Sequence, residues 1–346
     1  MVRKLYAPLT RLLDRIKHQK STFTLLTASI SILVLSGCSS TAPSAIDARG
    51  PAAQEILNLS WLLFILGGIV YFVVMVYLII ALFRRRRSEV IDQRKERLGI
   101  TMGGVIVTVI ILLVVFGFSV RVLGNVSAIN EPSQVSVRIY AHQWWWQVEY
   151  PELDIVTANE IHIPVGQPVL LDLRSPDVIH SFWVPQLHGK RDVVPGQVNT
   201  FWITASEPGI YWGECAEFCG AQHAQMRFVV VAESPDEYEA WVAEQQQAAQ
   251  EPENAYYQRG LEVFMQSGCA GCHTIAGTDA QGMQGPDLTH LASRQTLAAG
   301  ALTNTKANLG GWVADPQGIK PGNKMPNIPI PGEDFRTLID FLTTLE

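Results

Sequence analysis

Two uninterrupted apolar segments constrain the fold of this chain more than any other feature of its sequence. They comprise residues 59–83, LSWLLFILGGIVYFVVMVYLIIALF, and residues 99–120, GITMGGVIVTVIILLVVFGFSV. Each is longer than the roughly 20 residues that a helix needs to span a bilayer, and a buried helix of a soluble protein seldom runs so long without a charge. The sequence therefore predicts a hairpin of two transmembrane helices, at about 58–83 and 99–123.

The charges around this hairpin predict its orientation. Residues 84–97, RRRRSEVIDQRKER, join the two apolar segments and contain seven basic residues. Basic loops stay in the cytoplasm, so we expect everything after about residue 124 to lie outside. Residues 124–346 carry 11 Lys and Arg against 26 Asp and Glu. This acidic balance excludes nucleic-acid binding, and it would either attract a basic protein partner or serve solubility alone.

The first 37 residues resemble a bacterial lipoprotein signal. A basic start, MVRKLYAPLTRLLDRIKHQK, precedes an apolar core, FTLLTASISILVL, which is too short to span a bilayer, and LSGC follows. The pattern predicts removal of residues 1–37 and lipidation of Cys38. A plain signal peptide and an uncleaved anchor with a buried Cys38 are the alternatives. The signal and the basic loop both predict a multi-pass protein of the bacterial cytoplasmic (inner) membrane with its soluble part on the periplasmic side.

Beyond the N-terminal segment and hairpin (38–123), composition divides the chain into two modules and a linker. Residues 124–232 show short alternating or β-branched runs broken by Pro and Gly, which predicts a β-sandwich or barrel. Residues 233–254 predict a short helix, capped by Ser234, that leads into an acidic linker. The segment holds seven acidic residues and no basic one, so we expect all of it, helix included, to be solvated. From 255 to 346 a helical periodicity returns, which predicts a small helical module.

A CAGCH sequence in the last module predicts a covalently attached haem. The thiols of Cys269 and Cys272 would add to the porphyrin vinyl groups, and His273 would bind the iron. Outside the cytoplasm, cysteines ordinarily suggest disulfides, and a thioredoxin-like redox pair is a further alternative. Neither alternative needs the histidine, so the sequence favours haem c.

An electron-transfer haem takes a second axial ligand, and a methionine opposite histidine raises its potential. Met325, in GNKMPNIP, lies 52 residues past His273, which leaves enough chain to reach around the ring. Met283 would need a tighter path, and Met265 precedes the attachment site. Both are therefore expected to be packing residues, and Met325 is the predicted axial ligand.

A second cluster of metal-binding residue types occupies residues 213–226, GECAEFCGAQHAQM. This segment contains four residues that can bind a soft metal: Cys215, Cys219, His223 and Met226. His180, earlier in the same module, is a fifth candidate. Two thiolates and two imidazoles would suit a structural zinc. Copper is favoured because structural zinc rarely uses a thioether, and because the carbonyl of Glu217 brings the donors to six, too many for one tetrahedral ion. Two bridging thiolates can hold two coppers.

These residues resemble the binuclear CuA loop of cytochrome c oxidase subunit II. The likeness extends through AHQWWWQVEY, DVIHSFWVPQL, KRDVVPGQVN and GIYWGECAEFCGAQHAQM, and it covers roughly residues 55–245. GPDLTHLASR resembles the segment near the haem edge of class I cytochromes c, so the chain is similar to subunit II of caa-type haem-copper oxidases. The resemblance implies a multidomain membrane protein with a two-helix transmembrane hairpin, an all-β cupredoxin-like sandwich and an all-α class I cytochrome c domain.

The resemblance also implies the role of each ligand in a binuclear copper centre. Cys215 and Cys219 would bridge the two coppers. His180 and His223 would each bind one copper. Met226 would be a weak ligand to one of them, opposite a backbone carbonyl that serves the other.

Three further positions follow from the same resemblance. Glu217 would supply that carbonyl, and its side chain would reach a magnesium at the boundary with subunit I. Trp144 would receive the electrons, although a packed aromatic strand explains the three tryptophans equally well. Many family members carry a carboxylate at the cytoplasmic start of the second membrane helix, where it helps to load a proton channel. Thr101 stands near that place and Glu96 is the closest acid, so a role in proton uptake stays open.

Four other histidines of the soluble part lie outside these ligand sets. Most lone histidines are not ligands. We therefore expect His142 and His162 to be structural residues, and we expect His188 and His290 to lie on the surface.

The resemblance implies the electron-input subunit of a respiratory terminal oxidase, a cytochrome-c oxidase. Electrons would pass from a donor, such as a cytochrome c or an upstream respiratory complex, through haem c to CuA. They would continue to subunit I, where oxygen is reduced to water and protons are translocated. Two other hypotheses are the same subunit of a CuA-containing nitric oxide reductase and a stand-alone membrane-tethered redox carrier. The hairpin argues against the carrier, because a lipid on Cys38 would already tether it.

Overall fold

The computed structural model describes residues 43–83, 92–127 and 135–346. The predictions for the signal segment, for Cys38 and for most of the basic loop fall outside these residues. Residues 43–346 form one compact unit, so the contacts between its parts can be described.

Two long apolar helices form the N-terminal hairpin. The first is α1 (Pro51–Phe83), and the second consists of α2 (Gln93–Ile100), a π-helical turn (Thr101–Ile106) and α3 (Val107–Ser127). Both are long and apolar enough to cross a membrane, and their apolar side chains are largely exposed. Each helix begins earlier than predicted, because proline suits the first position of α1 and the side chain of Asp92 caps α2.

The β-module is a sandwich of two sheets, as predicted. Its strands are β1 (Val135–His142), β2 (Trp145–Tyr150), β3 (Ile155–Ala158), β4 (Glu160–Pro164), β5 (Val169–Arg174), β6 (His180–Trp183), β7 (Arg191–Val193), β8 (Asn199–Ile203), β9 (Gly209–Cys215) and β10 (Arg227–Glu233). One sheet has the order β3-β2-β1-β5-β8 and the other has the order β4-β10-β9-β6-β7. Buried and partly exposed residues alternate along β1, β2 and β5, and the rings of Trp146, Phe182 and Phe228 fill the core between the sheets.

Helix α4 (Pro235–Gln245) packs on this sandwich rather than standing in solvent. Ser234 caps it, as predicted. Tyr238 is buried, and the ring of Trp241 stacks on that of His162 with 4.2 Å between their centres. The expectation of a solvated segment was therefore wrong for this helix, because two aromatic residues cover the sheet beneath it. Most of the acidic side chains in and after α4 are exposed.

The last module is built mainly from helices, as predicted. They are α5 (Ala255–Gln266), α6 (Lys306–Ala314), α7 (Pro316–Ile319) and α8 (Gly332–Leu342), with a small ribbon of β11 (Thr296–Leu297) and β12 (Leu302–Thr303). Helices α5 and α8 cross at Gly260, where a Cβ would lie 2.4 Å from both Phe341 Cβ and Thr337 O. The absence of a side chain there allows the two helices to approach closely.

Candidate metal and haem centres

The soft donors converge at one end of the second sheet. His180 opens β6, Cys215 closes β9, and these two strands pair so that Phe182 lies opposite Cys215. The loop after β9 carries Cys219, a short 3-10 turn begins at His223, and the next strand, β10, follows directly. Because β6, β9 and β10 are neighbours in the sheet, donors that are distant in sequence meet there.

The donor atoms lie close enough to share one centre. The sulfur atoms of Cys215 and Cys219 are 3.7 Å apart. His180 Nδ1 lies 3.8 Å from Cys215 Sγ, and His223 Nδ1 lies 3.7 Å from Cys219 Sγ. Met226 Sδ is 3.7 Å from Cys219 Sγ. The structure thus brings the five predicted side-chain donors together. Four of them are buried and His223 is half-buried, and a set of thiols, imidazoles and a thioether fits copper.

Asp177 orients His180, and sequence reasoning missed it. Asp177 Oδ1 lies 2.9 Å from His180 Nε2, which leaves Nδ1 facing the sulfur atoms. The carboxylate also accepts hydrogen bonds from Gln143 N and Val178 N, each at 2.7 Å. Burial alone would raise the pKa of Asp177, but these hydrogen bonds hold it well below its usual range. A carboxylate behind a metal-binding histidine fixes the ring and its tautomer.

The two buried thiols are strongly coupled. The hydrogen bond with Cys219 is the main cause that lowers the pKa of Cys215 to about 3, and a hydrogen bond with His180 lowers it further. The same thiol pair and burial raise the pKa of Cys219. Because metals bind thiolates, the pocket offers one thiolate readily, and a bound cation would have to displace the second proton.

Trp144 contacts the ligand loop directly. Its Nε1 donates to Cys219 O at 2.9 Å, and Gln143 Nε2 donates to the same carbonyl at 2.8 Å. Gly220 has a positive φ of 113°, and a Cβ there would lie 3.1 Å from Trp144 Cζ2. Trp144 is half-buried, whereas Trp146 is the tryptophan that fills the core. This position suits a residue that passes electrons to the centre, which stays a prediction.

Glu217 presents its two ends to different surroundings. Its carbonyl oxygen lies 3.2 Å from Cys215 Sγ, which fits the predicted backbone ligand. Its carboxylate is half exposed and lies 3.4 Å from Lys190 Nζ. The side chain can therefore reach a group outside this chain, and the magnesium at that place stays a prediction.

The haem-attachment sequence forms a tight turn after α5. A 3-10 turn spans Cys269–Gly271, and Cys272 and His273 follow it. His273 Nδ1 lies 2.7 Å from Pro286 O, so Nδ1–H donates and Nε2 is the nitrogen left for iron. A Cβ on Gly285 would lie 2.6 Å from His273 Cε1, so this glycine leaves room for the ring. Burial lowers the pKa of His273, which favours the neutral imidazole that a metal binds.

Met325 lies in a loop that amide side chains hold at the backbone. Met325 N donates to Asn323 Oδ1, and Gln317 Nε2 donates to Met325 O, each at 2.7 Å. Met265 packs against the core of the module, as expected. Met283 does not, because it is 82% exposed, so its prediction as a packing residue was wrong. Met325 as axial ligand stays a prediction.

A buried arginine, Arg294, adds to the haem site. It is 8% exposed, and its Nη2 donates to Asp287 O at 2.5 Å. Its Nε has no hydrogen-bond partner among the described residues. A buried N–H donor without an acceptor is costly, and a haem propionate is an anion that could accept from Arg294 Nε. The residues present therefore fit a covalent haem, and the only sequence signal for Arg294 was its place in GPDLTHLASR.

Two histidines that were predicted to lie on the surface are buried. His188 is 4% exposed beneath two aromatic rings, and burial lowers its pKa to about 4. His290 is 5% exposed, and its ring nitrogens contact the carbonyl oxygens of Gln247 and of the last residue. These predictions were wrong because a lone histidine gives no sign of burial in the sequence. His142 and His162 make hydrogen bonds within the sandwich, as expected of structural residues.

The fold and the two sites define a membrane-anchored electron-transfer protein with a two-thiol metal centre and a c-type haem site. Residues 153–233 match the family "Cytochrome C oxidase subunit II, periplasmic domain", and residues 257–346 match the family "Cytochrome c". The chain is 36% identical over 344 residues to cytochrome c oxidase subunit 2 of Alkalihalophilus pseudofirmus, which covers 95% of this chain and 99% of that protein. The chain belongs to the cytochrome c oxidase subunit II family, and it is a membrane protein with periplasmic domains.

Other relatives extend this comparison. Cytochrome c oxidase subunit 2 of Bacillus subtilis is 30% identical over 85% of this chain and 88% of that protein. Quinol oxidase subunit 2 of the same organism is 30% identical over 63% of this chain and 70% of that protein. Among solved structures, the periplasmic domain of subunit II of cytochrome oxidase from Bradyrhizobium japonicum is 26% identical, with a TM-score of 0.33, over 34% of this chain and 96% of that chain.

Proposed function

We propose that this chain is the electron-input subunit of a respiratory terminal oxidase in the bacterial inner membrane. When bound, haem c and a binuclear copper centre supply one-electron transfer, from a donor through the haem to copper and on to subunit I. Oxygen reduction to water and the coupled proton translocation belong to subunit I. Family membership supports the oxidase role, and the two donor sets support the two cofactors.

Within this proposal each ligand has a defined task. Cys215 and Cys219 would hold the copper centre, because their sulfur atoms lie 3.7 Å apart and each lies beside one imidazole. Asp177 holds His180 in one tautomer. In the other module, the two cysteines of CAGCH would attach the haem, and His273 and Met325 would hold its iron. Trp144 would connect the donor to the copper centre, because its Nε1 donates to Cys219 O in the ligand loop.

The observation that carries the proposal is that the two ligand loops lie against each other in one compact unit. Gln222, which precedes His223, donates from Nε2 to Pro321 O at 2.5 Å. Pro321 lies in the loop that leads to Met325. A haem and a copper centre held by these loops would be close enough to exchange electrons within one chain.

The hairpin and the outer surface support the remaining assignments. The two-helix hairpin favours docking to subunit I and other membrane subunits over a stand-alone carrier, because a lipid on Cys38 would already tether a carrier. The half-exposed carboxylate of Glu217 is available for a magnesium at that boundary. We also propose lipidation of Cys38 and a periplasmic location of both soluble modules.

Turnover of oxygen, but not of nitric oxide, by the purified complex would separate the proposed oxidase function from that of a nitric oxide reductase.

The substitution Cys219→Ser tests the proposed order of electron flow. It removes one of the two bridging thiols, so the haem should be reduced by its donor at the native rate while electrons fail to reach subunit I. Rapid-mixing spectroscopy at the haem and subunit I wavelengths measures both steps. Met283→Ser is the matched control, because it removes a sulfur atom from an 82% exposed side chain outside the proposed ligands and should change neither rate. If subunit I of the Cys219→Ser complex is reduced at the native rate, the copper centre is not required for electron transfer to subunit I.

A further inference from the structure

The cytochrome module contacts the copper module through two patches. The first patch is the loop at residues 320–324, which lies on the copper-ligand loop. In addition to the bond from Gln222 to Pro321 O, Lys324 Nζ lies 3.8 Å from Asp177 Oδ2. Because Asp177 orients a copper ligand, this loop contacts the copper site at two of its supporting residues.

The second patch is formed by residues 295–300, which lie on strands β4, β9 and β10. Glu160 of β4 is 3% exposed, and its Oε1 accepts hydrogen bonds from Gln295 N at 2.5 Å and from Thr296 N at 3.1 Å. Arg227 N, at the start of β10, donates to a cytochrome carbonyl at 3.0 Å. The carboxylate of Glu160 in the copper module thus accepts hydrogen bonds from two backbone amides of the cytochrome module. The backbone amide of Arg227 in the copper module donates to a carbonyl of the cytochrome module.

The turn in the second patch is shaped by its contact with the copper module. Ala298, Ala299 and Gly300 all have positive φ, of 54°, 57° and 76°. This left-handed region is unfavourable for alanine, so other contacts must hold the turn. A Cβ on Gly300 would lie 2.8 Å from Arg227 Cβ and 3.1 Å from Trp212 Cζ3. Only glycine fits this approach, which indicates a close and defined interface.

Lys320 joins the two patches. It is 3% exposed, and its Nζ donates to Gln225 O and to Ala298 O, each at 2.9 Å. Gln225 directly precedes the copper ligand Met226, and Ala298 begins the left-handed turn. Burial lowers the pKa of Lys320 to about 8. Because burial of an ammonium is unfavourable unless hydrogen bonds offset it, a lysine at this place indicates a specific contact rather than general packing.

We propose that the cytochrome module is held on the copper module in one fixed orientation, and that Lys320 is the positioning residue of this interface. It connects the loop that carries Met325 to the loop that carries Met226. The distance between haem and copper is then set by the interface rather than sampled by a module on a loose linker. The consequence for electron transfer rests on the proposed function above, whereas the docking itself does not.

Hydrogen exchange in the full chain, purified with its oxidase partners, tests the docking. In Lys320→Met the side-chain volume is nearly kept while both hydrogen bonds are lost. Amides that open only when the modules separate exchange in proportion to the open fraction. We expect peptides that contain Arg227, and those that contain Gln295 and Thr296, to exchange about tenfold faster, as the loss of charged hydrogen bonds implies. None of these three amides is bonded to Lys320 itself.

Lys306→Met is the matched control. Lys306 carries the same charge, its side chain is 63% exposed, and it pairs with Asp340 inside the cytochrome module. Its exchange pattern at the interface should equal that of the native chain. If Lys320→Met also equals the native chain, the proposal is wrong. Should Lys320→Met fail to fold, Glu160→Gln weakens the second patch with little change of shape. Unchanged exchange at Arg227, whose amide is bonded across the interface but not to Glu160, overturns the proposal in that variant.

Electron transfer gives an independent measurement. After flash reduction of the haem in the native complex, the rate of copper reduction should not change with solvent viscosity, because no search for the docked orientation is needed. A rate that falls in proportion to viscosity would overturn the fixed orientation. If copper is not reduced by the haem at all, the proposed order of electron flow is wrong, and the exchange experiment still decides the docking.

Discussion

At the scale of single residues, Met325 is held at its backbone by Asn323 and Gln317 rather than by its side chain. Met325→Ala should therefore leave the loop in place but remove the thioether. We expect loss of the weak sulfur-to-iron charge-transfer band and a lower midpoint potential, because a thioether favours ferrous iron. Optical spectra and a redox titration measure both. Met283→Ala, at an 82% exposed position, should change neither, and the opposite pattern would make Met283 the ligand.

His162 should make the stability of the sandwich depend on pH. Burial alone would lower its pKa, but hydrogen bonds to Glu160 and Glu233 raise it above 6.5, with Trp241 stacked on the ring. A raised folded pKa means that this contribution to stability is fully present below pH 6.5 and is lost as pH rises through the folded pKa. The unfolding temperature of the copper module should fall over that window.

The substitution His162→Gln should flatten this part of the pH profile, because glutamine does not titrate. His142→Gln is the control of opposite sign. Burial lowers the pKa of His142, so its contribution is lost as pH falls, not as it rises. Calorimetry of the full chain between about pH 4 and 9 covers both transitions. If His162→Gln loses stability with rising pH as the native chain does, the assignment to His162 is wrong.

The sequence predicted the donors at this scale better than it predicted the residues that support them. Cys215, Cys219 and His223 are recognisable because metal ligands need fixed types at short spacing. Asp177 orients His180, and Asn323 holds the backbone of Met325. An aspartate or asparagine in a loop has many ordinary roles, so the sequence did not indicate these contacts. Their function depends on which side chain lies opposite, and only the folded chain determines that.

At the scale of elements, the crossing of α5 and α8 should be the weak point of the cytochrome module. A Cβ at Gly260 would lie 2.4 Å from a backbone oxygen, which cannot move aside as a side chain can. Gly260→Ala should destabilise the module by about 1–3 kcal/mol or more and reduce haem incorporation. Gly311→Ala, in an exposed turn of α6 with nothing within 4 Å, should be neutral or stabilise by up to about 1 kcal/mol.

The thermal transition of the haem absorbance measures both glycine variants. Equal stability of Gly260→Ala and Gly311→Ala would show that the helices can separate at their crossing without loss. The comparison is informative because both changes add one methyl group within a helix of the same module. They differ only in what surrounds that methyl group.

Periodicity predicted most elements but not where their surfaces pack. The apolar segments predicted both membrane helices, and the alternation predicted the sandwich, since each pattern follows from the geometry of a single element. Helix α4 was expected in solvent because its acidic residues dominate its composition. Tyr238 and Trp241 instead bind it to the sandwich, and two aromatic residues are too few to show as a pattern.

At the scale of the whole molecule, the modules were predictable and their docking was not. Each module has its own motif, whereas the interface depends on single residues such as Lys320 and Glu160. A buried lysine and a buried glutamate read as surface residues in a sequence, because their types are mostly exposed. The acidic linker in the sequence is compatible with a cytochrome module that moves freely. In the structure, hydrogen bonds of Gln295 and Lys320 hold that module against the copper module.

Deletion of residues 255–346 should change how electrons reach copper. The cytochrome then no longer covers the ligand loop at Gln222, and its haem is no longer available within the same chain. We expect the truncated complex to take electrons only from an added carrier, more slowly, and at a rate proportional to carrier concentration. In the intact complex, the step from haem to copper should be independent of that concentration, because it occurs within one chain. Rapid mixing at several carrier concentrations compares the two. A truncated complex whose copper is reduced at the intact rate, whatever the carrier concentration, would mean that the attached cytochrome is not the route to copper.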